Sequence, residues 1–336
     1  MRIGVDAMGG DLAPAEQVAG ALAARELLTE DDRIVLYGRQ GEIVEHLKVA
    51  GDWSERIAVV DCPEMIGMSE PPVEALRAKQ NSSLVRLAQA HRSGEVDAMI
   101  SAGNTGACVA AAQMHLRRLA GVHRPGIAII VPTFHGPVVL CDVGANVNCR
   151  PLHLLQYGVM AGIYLNRVAG VEAPRVGLMS IGEEDTKGNA LVRRTHELFR
   201  RRPEIRFVGN VEGRDLFRNS CEVVVCEGFV GNVCLKLMEG LAEGLFKALA
   251  RELAQQTEGA FAMKARLALG ALAARYDYSE YGGAPLLGVN GICIICHGSS
   301  NARAIYNAIR VSREFATQGV NERITTELTQ NAGMGE

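Results

Sequence analysis

The sequence predicts an α/β fold, a largely parallel sheet covered on both faces by helices. Short apolar runs, such as Val96 to Ile100, broken only by Asp97, and the unbroken Val223 to Val225, recur along the chain. Strands buried on both faces have that composition, whereas half-exposed strands alternate. Stretches with helical spacing, ~10–20 residues long, fill most of the gaps, as crossover connections between parallel strands require. Several runs end in a glycine-bearing polar turn directly before a helical stretch, and ligands of open α/β sheets bind beyond strand carboxyl ends.

In order, strands are expected at Arg2 to Asp6, Arg33 to Tyr37, Ile57 to Val60, Ala98 to Ser101 and Ile127 to Val131. Further strands are expected at Val138 to Asp142, Val176 to Ser180, Arg206 to Asn210, Val223 to Cys226 and Ile292 to Cys296. Helices are expected at Pro14 to Leu28, Ser83 to Ser93, Thr105 to Arg117 and Leu152 to Asn166. No repeat, low-complexity tract or linker interrupts the 336 residues. One α/β domain spanning residues 1–336 is therefore the expectation.

Residues 238–275 differ from the rest. Met238, Leu241, Leu245, Leu249 and Leu253 form an apolar stripe at helical spacing. A second pattern, joined to the first near Gln255 to Ala260, carries Phe261, Met263, Leu269 and Leu272 beside Lys264, Arg266 and Arg275. This reads as a helical hairpin projecting from the body. Packing in the core or across a dimer interface is the commoner use of such a stripe; basic flanks also suit shallow contact with a membrane surface.

The bulk properties narrow the class. The chain is 48% hydrophobic with formal net charge -3 and mean hydropathy +0.07, enough for a sizeable core and without a global bias toward nucleic acid. No uncharged apolar stretch reaches the ~20 residues of a membrane span. The strand-like start leaves no room for a signal peptide. The nine cysteines are scattered, mostly inside apolar runs, which suits buried thiols in a reducing cytoplasm.

The turns carry the chemistry. In Ser101 to Gly106, Gly103 and Gly106 remove side chains that would block an anion, while Ser101, Asn104 and Thr105 offer donors; backbone N–H groups at a helix start add more. Asn104 or Thr105 can also cap the following helix. Glu183, Glu184 and Asp185 precede a single Lys187, which can neutralise an anion between strand and helix. Glu227 to Asn232 is a third such turn. Asp6 and Asp142 stand at strand ends, the latter before Gly144 and Asn146, and an orienting role suits Asp142 because no second metal ligand accompanies it. Cys293-Ile294-Ile295-Cys296-His297 matches a haem-attachment pattern, but thiols three apart on a strand face opposite ways. The turn after it, His297 to Asn301 with Ser299, is a fourth polar turn. A G-x-S-x-G elbow, a Walker loop and H-E-x-x-H are all missing, which fits a reaction whose substrate brings its own nucleophile.

Together these motifs resemble the bacterial acyl-ACP:phosphate acyltransferase family over nearly the whole chain. The resemblance rests on Asp6 to Asp11, Arg77 to Ser83, Ser101 to Ala107, Asp142 to Val147, Gly182 to Gly188, Gly209 to Gly213, Gly228 to Lys236 and His297 to Asn301. It implies a three-layer, Rossmann-like α/β/α sheet of the isocitrate/isopropylmalate dehydrogenase and phosphate acetyltransferase type. It implies transfer of a long-chain acyl group from acyl carrier protein to inorganic phosphate, without cofactor or metal, for phosphatidic acid and phospholipid synthesis. It further implies a cytoplasmic homodimer held peripherally at the inner face of the membrane, near a glycerol-3-phosphate acyltransferase. Lys187 and Asn232 match the family's catalytic positions. Val230 stands where threonine is frequent, and Cys296 where serine or alanine is usual.

On that basis Ser101, Gly103, Asn104, Thr105 and Gly106 are expected to cradle phosphate, Lys187 to balance its charge, and Asn232 to donate to the thioester oxygen. Asp6, Asp142, Asn146, His297 and Ser299 are supporting polar residues. Arg193, Arg194, Arg200, Arg201 and Arg202 are candidates for docking an acidic carrier, although a solvated helix face is the commoner origin of such a cluster. The rival readings are a phosphate acetyltransferase-like enzyme using acyl-CoA, a metal- and NAD-dependent dehydrogenase, and a non-enzymatic membrane scaffold for lipid synthesis.

Overall fold

The computed structural model describes residues 1–330 except 50, 52, 54, 257–259 and 276–281. One sheet of eleven strands runs through it. At one end β1 (Arg2–Asp6), β2 (Arg33–Gly38), β3 (Ile57–Asp61), β4 (Ala98–Ser101) and β11 (Cys293–Ile295) are mutually parallel. At the other end β6 (Gly136–Cys141), β7 (Val176–Met179), β8 (Phe207–Val211) and β9 (Val223–Val225) are mutually parallel. Between them, β5 (Gly126–Thr133) and β10 (Ala284–Leu287) pair antiparallel with each other and with their outer neighbours. The spatial order is β3-β2-β1-β4-β11-β10-β5-β6-β9-β7-β8.

The antiparallel steps through β10 and β5 reverse strand direction. The carboxyl ends of β1, β4 and β11 therefore lie along one edge of the sheet, and those of β6, β9 and β7 along the opposite edge. The polar turns do follow strands into helices, but they do not share one rim. A strand buried on both faces has the same apolar composition whichever way it points, so this reversal left no mark on the sequence. β10 was also not expected, because Pro285 lies within it, and a proline argues against a strand.

Side chains alternate between two apolar layers as a pleated strand requires. Ala98 and Ile100 join Ile3, Val5, Ile34 and Leu36 on one face; Met99 joins Tyr37, Leu84 and Leu87 on the other. The first layer is covered by α1 (Ala15–Ala23), α2 (Gln40–Lys48), α6 (Pro151–Ala169), α10 (Ala302–Thr317) and α11 (Val320–Gln330). The second is covered by α3 (Pro72–Ala78), α4 (Ser83–Ser93), α5 (Thr105–His115) and the start of α8 (Gly228–Gln256). Helix ends follow local chemistry: α6 opens with Pro151, whose missing N–H is unneeded there, and closes at Gly170 with φ of 68°.

α8 and α9 (Ala260–Arg275) lie against each other as a helical hairpin. The join at 257–259 and the side chains of Phe261, Arg266 and Arg275 lie outside the described residues. Leu237, Leu241, Leu245 and Leu249 are exposed along one face of α8, while Met238 packs on the core. The outward stripe thus starts one residue before the Met238 expected from the sequence. No helix among the described residues is long and apolar enough to cross a membrane.

Candidate active site

Three neighbouring strands, β1, β4 and β11, gather the first cluster. Asp6 is buried at the end of β1, where Ser101 Oγ donates to its Oδ2 at 2.7 Å and the Met8 N–H to its Oδ1 at 3.2 Å. Ser101 Oγ in turn accepts from the Gly103 N–H at 3.1 Å. A Cβ on Gly9 would lie 2.6 Å from Asp6 Oδ2 and 2.8 Å from Gly103 N, so only glycine allows these two turns to touch. The Asn104 side chain caps α5 by accepting from the Ala107 N–H at 3.0 Å. Its amide donates to the carbonyls of Met68 at 2.9 Å and Glu70 at 3.0 Å. The hydroxyl of Ser101, the N–H of Gly103 and the amide of Asn104 are thus committed within the protein. Thr105 and Gly106, exposed in the first turn of α5, are not so tied.

Asn104→Asp keeps the cap acceptor but cannot donate to the two carbonyls, and should lower stability by about 1–3 kcal/mol. Equilibrium denaturation checks this; an unchanged midpoint would show that the 67–70 loop does not depend on the amide. Burial pushes the Asp6 carboxyl above its ordinary range, against hydrogen bonds from Ser83, Ser101, Met8 and Gly9. A carboxyl raised in the folded state still holds a proton that the unfolded chain has released. Stability therefore falls as pH climbs from the ordinary value, about 4, through the raised one. Asp6→Asn should flatten that slope in denaturant titrations at several pH values, and curves parallel to wild type would refute the assignment.

The second cluster stands at the opposite edge, on the adjacent strands β6, β9 and β7. Asp142 is fully buried and accepts from the N–H groups of Ile127 (3.1 Å), Gly144 (3.0 Å), Ala145 (2.9 Å) and Asn146 (2.8 Å). Burial pushes its carboxyl up, and these N–H groups oppose the push. The carboxylate thus folds the 143–146 turn around itself, the orienting role expected of it. Asn146 extends the scaffold, its amide donating to the Pro125 carbonyl at 2.6 Å and to Tyr157 Oη at 2.9 Å. Its own carbonyl accepts from the Gly228 N–H at 2.8 Å, fixing the start of α8. Glu227 caps that start, accepting from the N–H groups of Phe229 (2.7 Å) and Val230 (3.0 Å). Asn232 follows in the first turns of α8. It is exposed, lies against Gly144, and its amide makes no hydrogen bond among the described residues.

Lys187 belongs to the turn after β7, the immediate neighbour of β9. Of the three acids before it, Asp185 has side-chain partners, Arg200 at 3.0 Å and His196 at 3.2 Å, and the Glu184 carbonyl accepts from Asn210 Nδ2 at 2.8 Å. Asn189 caps α7 (Ala190–Arg200) through the Val192 N–H at 3.0 Å. Exposed Lys187 makes no side-chain hydrogen bond or ion pair among the described residues. Lys187 and Asn232, each without a side-chain hydrogen bond among the described residues, therefore stand at the same edge after adjacent strands. Of the arginines considered for docking, Arg193 donates to the Gly188 carbonyl at 2.7 Å, Arg200 pairs with Asp185, and Arg202 pairs with Glu204 at 3.1 Å.

A link between the clusters comes from a residue the sequence reading assigned no role. Lys236, one helical turn beyond Asn232, donates from Nζ to His297 Nε2 at 2.9 Å and to Glu239 at 2.8 Å. His297 Nδ1 accepts from the Ser299 N–H at 3.2 Å and lies 2.7 Å from Ser299 Oγ. The neighbouring Gly298 carbonyl accepts from the Asp11 N–H at 2.8 Å. The signal was present as spacing: residues i and i+4 share a helix face. As expected, Cys293 and Cys296 enter opposite apolar layers, and all nine cysteines are free.

Residues 1–323 match the family described as fatty acid synthesis protein. The phosphate acyltransferase of Desulforamulus reducens is 47% identical over 337 residues, covering 100% of both chains. That of Pelotomaculum thermopropionicum is 48% identical over 329 residues, covering 98% of this chain and 95% of the other. Among solved structures, a phosphotransacetylase from Streptococcus pyogenes superposes with TM-score 0.63 at 15% identity, covering 95% of this chain and 94% of that one. EutD phosphotransacetylase from Staphylococcus aureus gives 0.60 at 14% identity, covering 94% of each; these two speak for the fold alone. The chain therefore belongs to the fatty acid synthesis protein family and is a phosphate acyltransferase, an enzyme that moves an acyl group to phosphate.

Proposed function

We propose that the acyl donor is a long-chain thioester of acyl carrier protein, and that the acyl phosphate produced feeds phosphatidic acid and phospholipid synthesis. The observation that carries the site assignment is the pair of uncommitted side chains, Lys187 and Asn232, after neighbouring strands. A phosphate oxygen attacks the thioester carbon, the C–S bond breaks, and the thiolate leaves with the electron pair and takes a proton from water. Phosphate is largely dianionic at neutral pH, and thiolate leaves readily, so neither a strong base nor a strong acid is needed. What the protein must supply is donors for two developing anions. Lys187 neutralises the phosphate, and the Asn232 amide donates to the carbonyl oxygen. Asp142 and Asn146 hold the α8 start, while Asp6, His297 and Ser299 support the opposite turns.

The exposed leucines of α8 suit a homodimer contact, and the basic second arm of the hairpin suits peripheral association with a membrane carrying the glycerol-3-phosphate acyltransferase that consumes the product. The reaction tests the reading. Purified protein with palmitoyl-acyl carrier protein should release free carrier thiol only when phosphate is present, with or without chelator. Equal or faster turnover of acetyl-CoA would favour the coenzyme A alternative, and no phosphate consumption with any donor would leave the scaffold reading.

A further inference from the structure

A cavity of about 610 Å³ opens on the outer side of α6, between that helix, α11, the segment leading into β7 and the α7–β8 connection. None of its lining residues belongs to either polar cluster. It follows α6 from Leu152 to Asn166, a length of about 21 Å at the helical rise. Its volume falls within the range of small-molecule sites. The floor is aliphatic, formed by Leu155, Val159, Ile163, Val176, Ile205 and Leu328. Gly162 keeps the middle of the groove open: a Cβ there would meet only Pro174 Cγ, at an ordinary 3.6 Å. One end is fixed by Gln156, which accepts from the His123 N–H at 2.9 Å and donates to the Gly121 carbonyl at 2.7 Å.

The charges around the groove are unequal. Arg202 pairs with Glu204 at 3.1 Å and Arg323 with Glu327 at 3.0 Å. Arg206, also on the lining, makes no side-chain ion pair or hydrogen bond among the described residues. A narrow aliphatic trough with one uncompensated guanidinium asks for an extended apolar body ending in an anion, and the guanidinium fork matches a carboxylate. We propose that this cavity binds a long-chain aliphatic carboxylate, with the alkyl chain along α6 and the head group on Arg206. The inference is independent of which thioester donates the acyl group.

Dodecanoate titrated into the full chain, followed by calorimetry, tests it. Wild type should bind saturably at one molecule per chain, and dodecanol should bind at least about tenfold more weakly, because a charge-assisted hydrogen bond is lost. Arg206→Met, a change at an exposed position, should weaken dodecanoate by a similar factor. Gly162→Leu fills the trough and should abolish binding, while Lys187→Ala and Asn232→Ala should leave it unchanged. Absence of saturable binding, or indifference to Arg206→Met, would overturn the proposal. So would loss of binding in the Lys187 and Asn232 variants, since the chain would then sit at the polar turns. A change of oligomeric state in Gly162→Leu with dodecanoate binding intact would also overturn it and make this face an interface between copies.

Discussion

Asn232→Ala and Lys187→Ala should each lower phosphate-dependent turnover by ~10²–10³-fold, the cost of removing one preorganised donor to a developing anion. Neither should disturb the fold, because both side chains are exposed and make no hydrogen bond among the described residues, and such surface changes rarely move stability by more than about 0.5 kcal/mol. The two losses should differ in kind. Lys187 is assigned to bound phosphate, so its removal should raise the KM for phosphate together with a fall in kcat. Asn232 is assigned to an oxyanion present only as the thioester is attacked, so its removal should lower kcat and kcat/KM equally. Steady-state kinetics with phosphate varied at saturating acyl donor separates these patterns, and unchanged melting curves certify the fold. Near-normal rates in either variant would remove that residue from the mechanism.

Legibility in the sequence followed locality. β4 and α4 have the bounds expected of them because their signals are local: a short apolar run for one, and for the other helical spacing closed by Gly94 with φ of 75°. β10 was hidden because Pro285 contradicts a strand locally, although its pairing partner Ile294 accepts it. The reversal of strand direction across β10 and β5 is a property of pairing over long sequence distance, which no window of residues carries. The polar turns were visible, but the division of labour within them was not. Asn104 offers the same amide to a phosphate or to the 67–70 carbonyls, and only the fold shows that the carbonyls have taken it. Asp142 could be read as an orienting group because a lone carboxylate before Gly144 and Asn146 has few other uses. Lys236 escaped notice because its partner His297 lies sixty-one residues away.

Gly231→Ala should invert the usual rule for glycine in helices. In an unencumbered helix this substitution stabilises by up to about 1 kcal/mol, since alanine costs less backbone entropy. At Gly231 a Cβ would stand 1.9 Å from the Asp142 carbonyl oxygen and 2.9 Å from Cys226 Sγ. That oxygen is backbone and also accepts from Cys226 Sγ at 3.4 Å, so it cannot swing aside as a side chain would. Either the first turn of α8 lifts or the Asp142 turn moves, and overpacking of this kind costs about 1–3 kcal/mol. Asn232 is the next residue, so the same displacement should carry its amide away from Gly144 and cut turnover more steeply than the stability loss alone explains. The same helix supplies its own control: a Cβ at Gly240 or Gly244 meets nothing within 4 Å, and alanine there should stabilise. Denaturation midpoints of the three variants, with their rates, decide the matter. If Gly231→Ala stabilises like the other two, the close seating of α8 on the Asp142 carbonyl is wrong, and with it the claim that this contact aims Asn232.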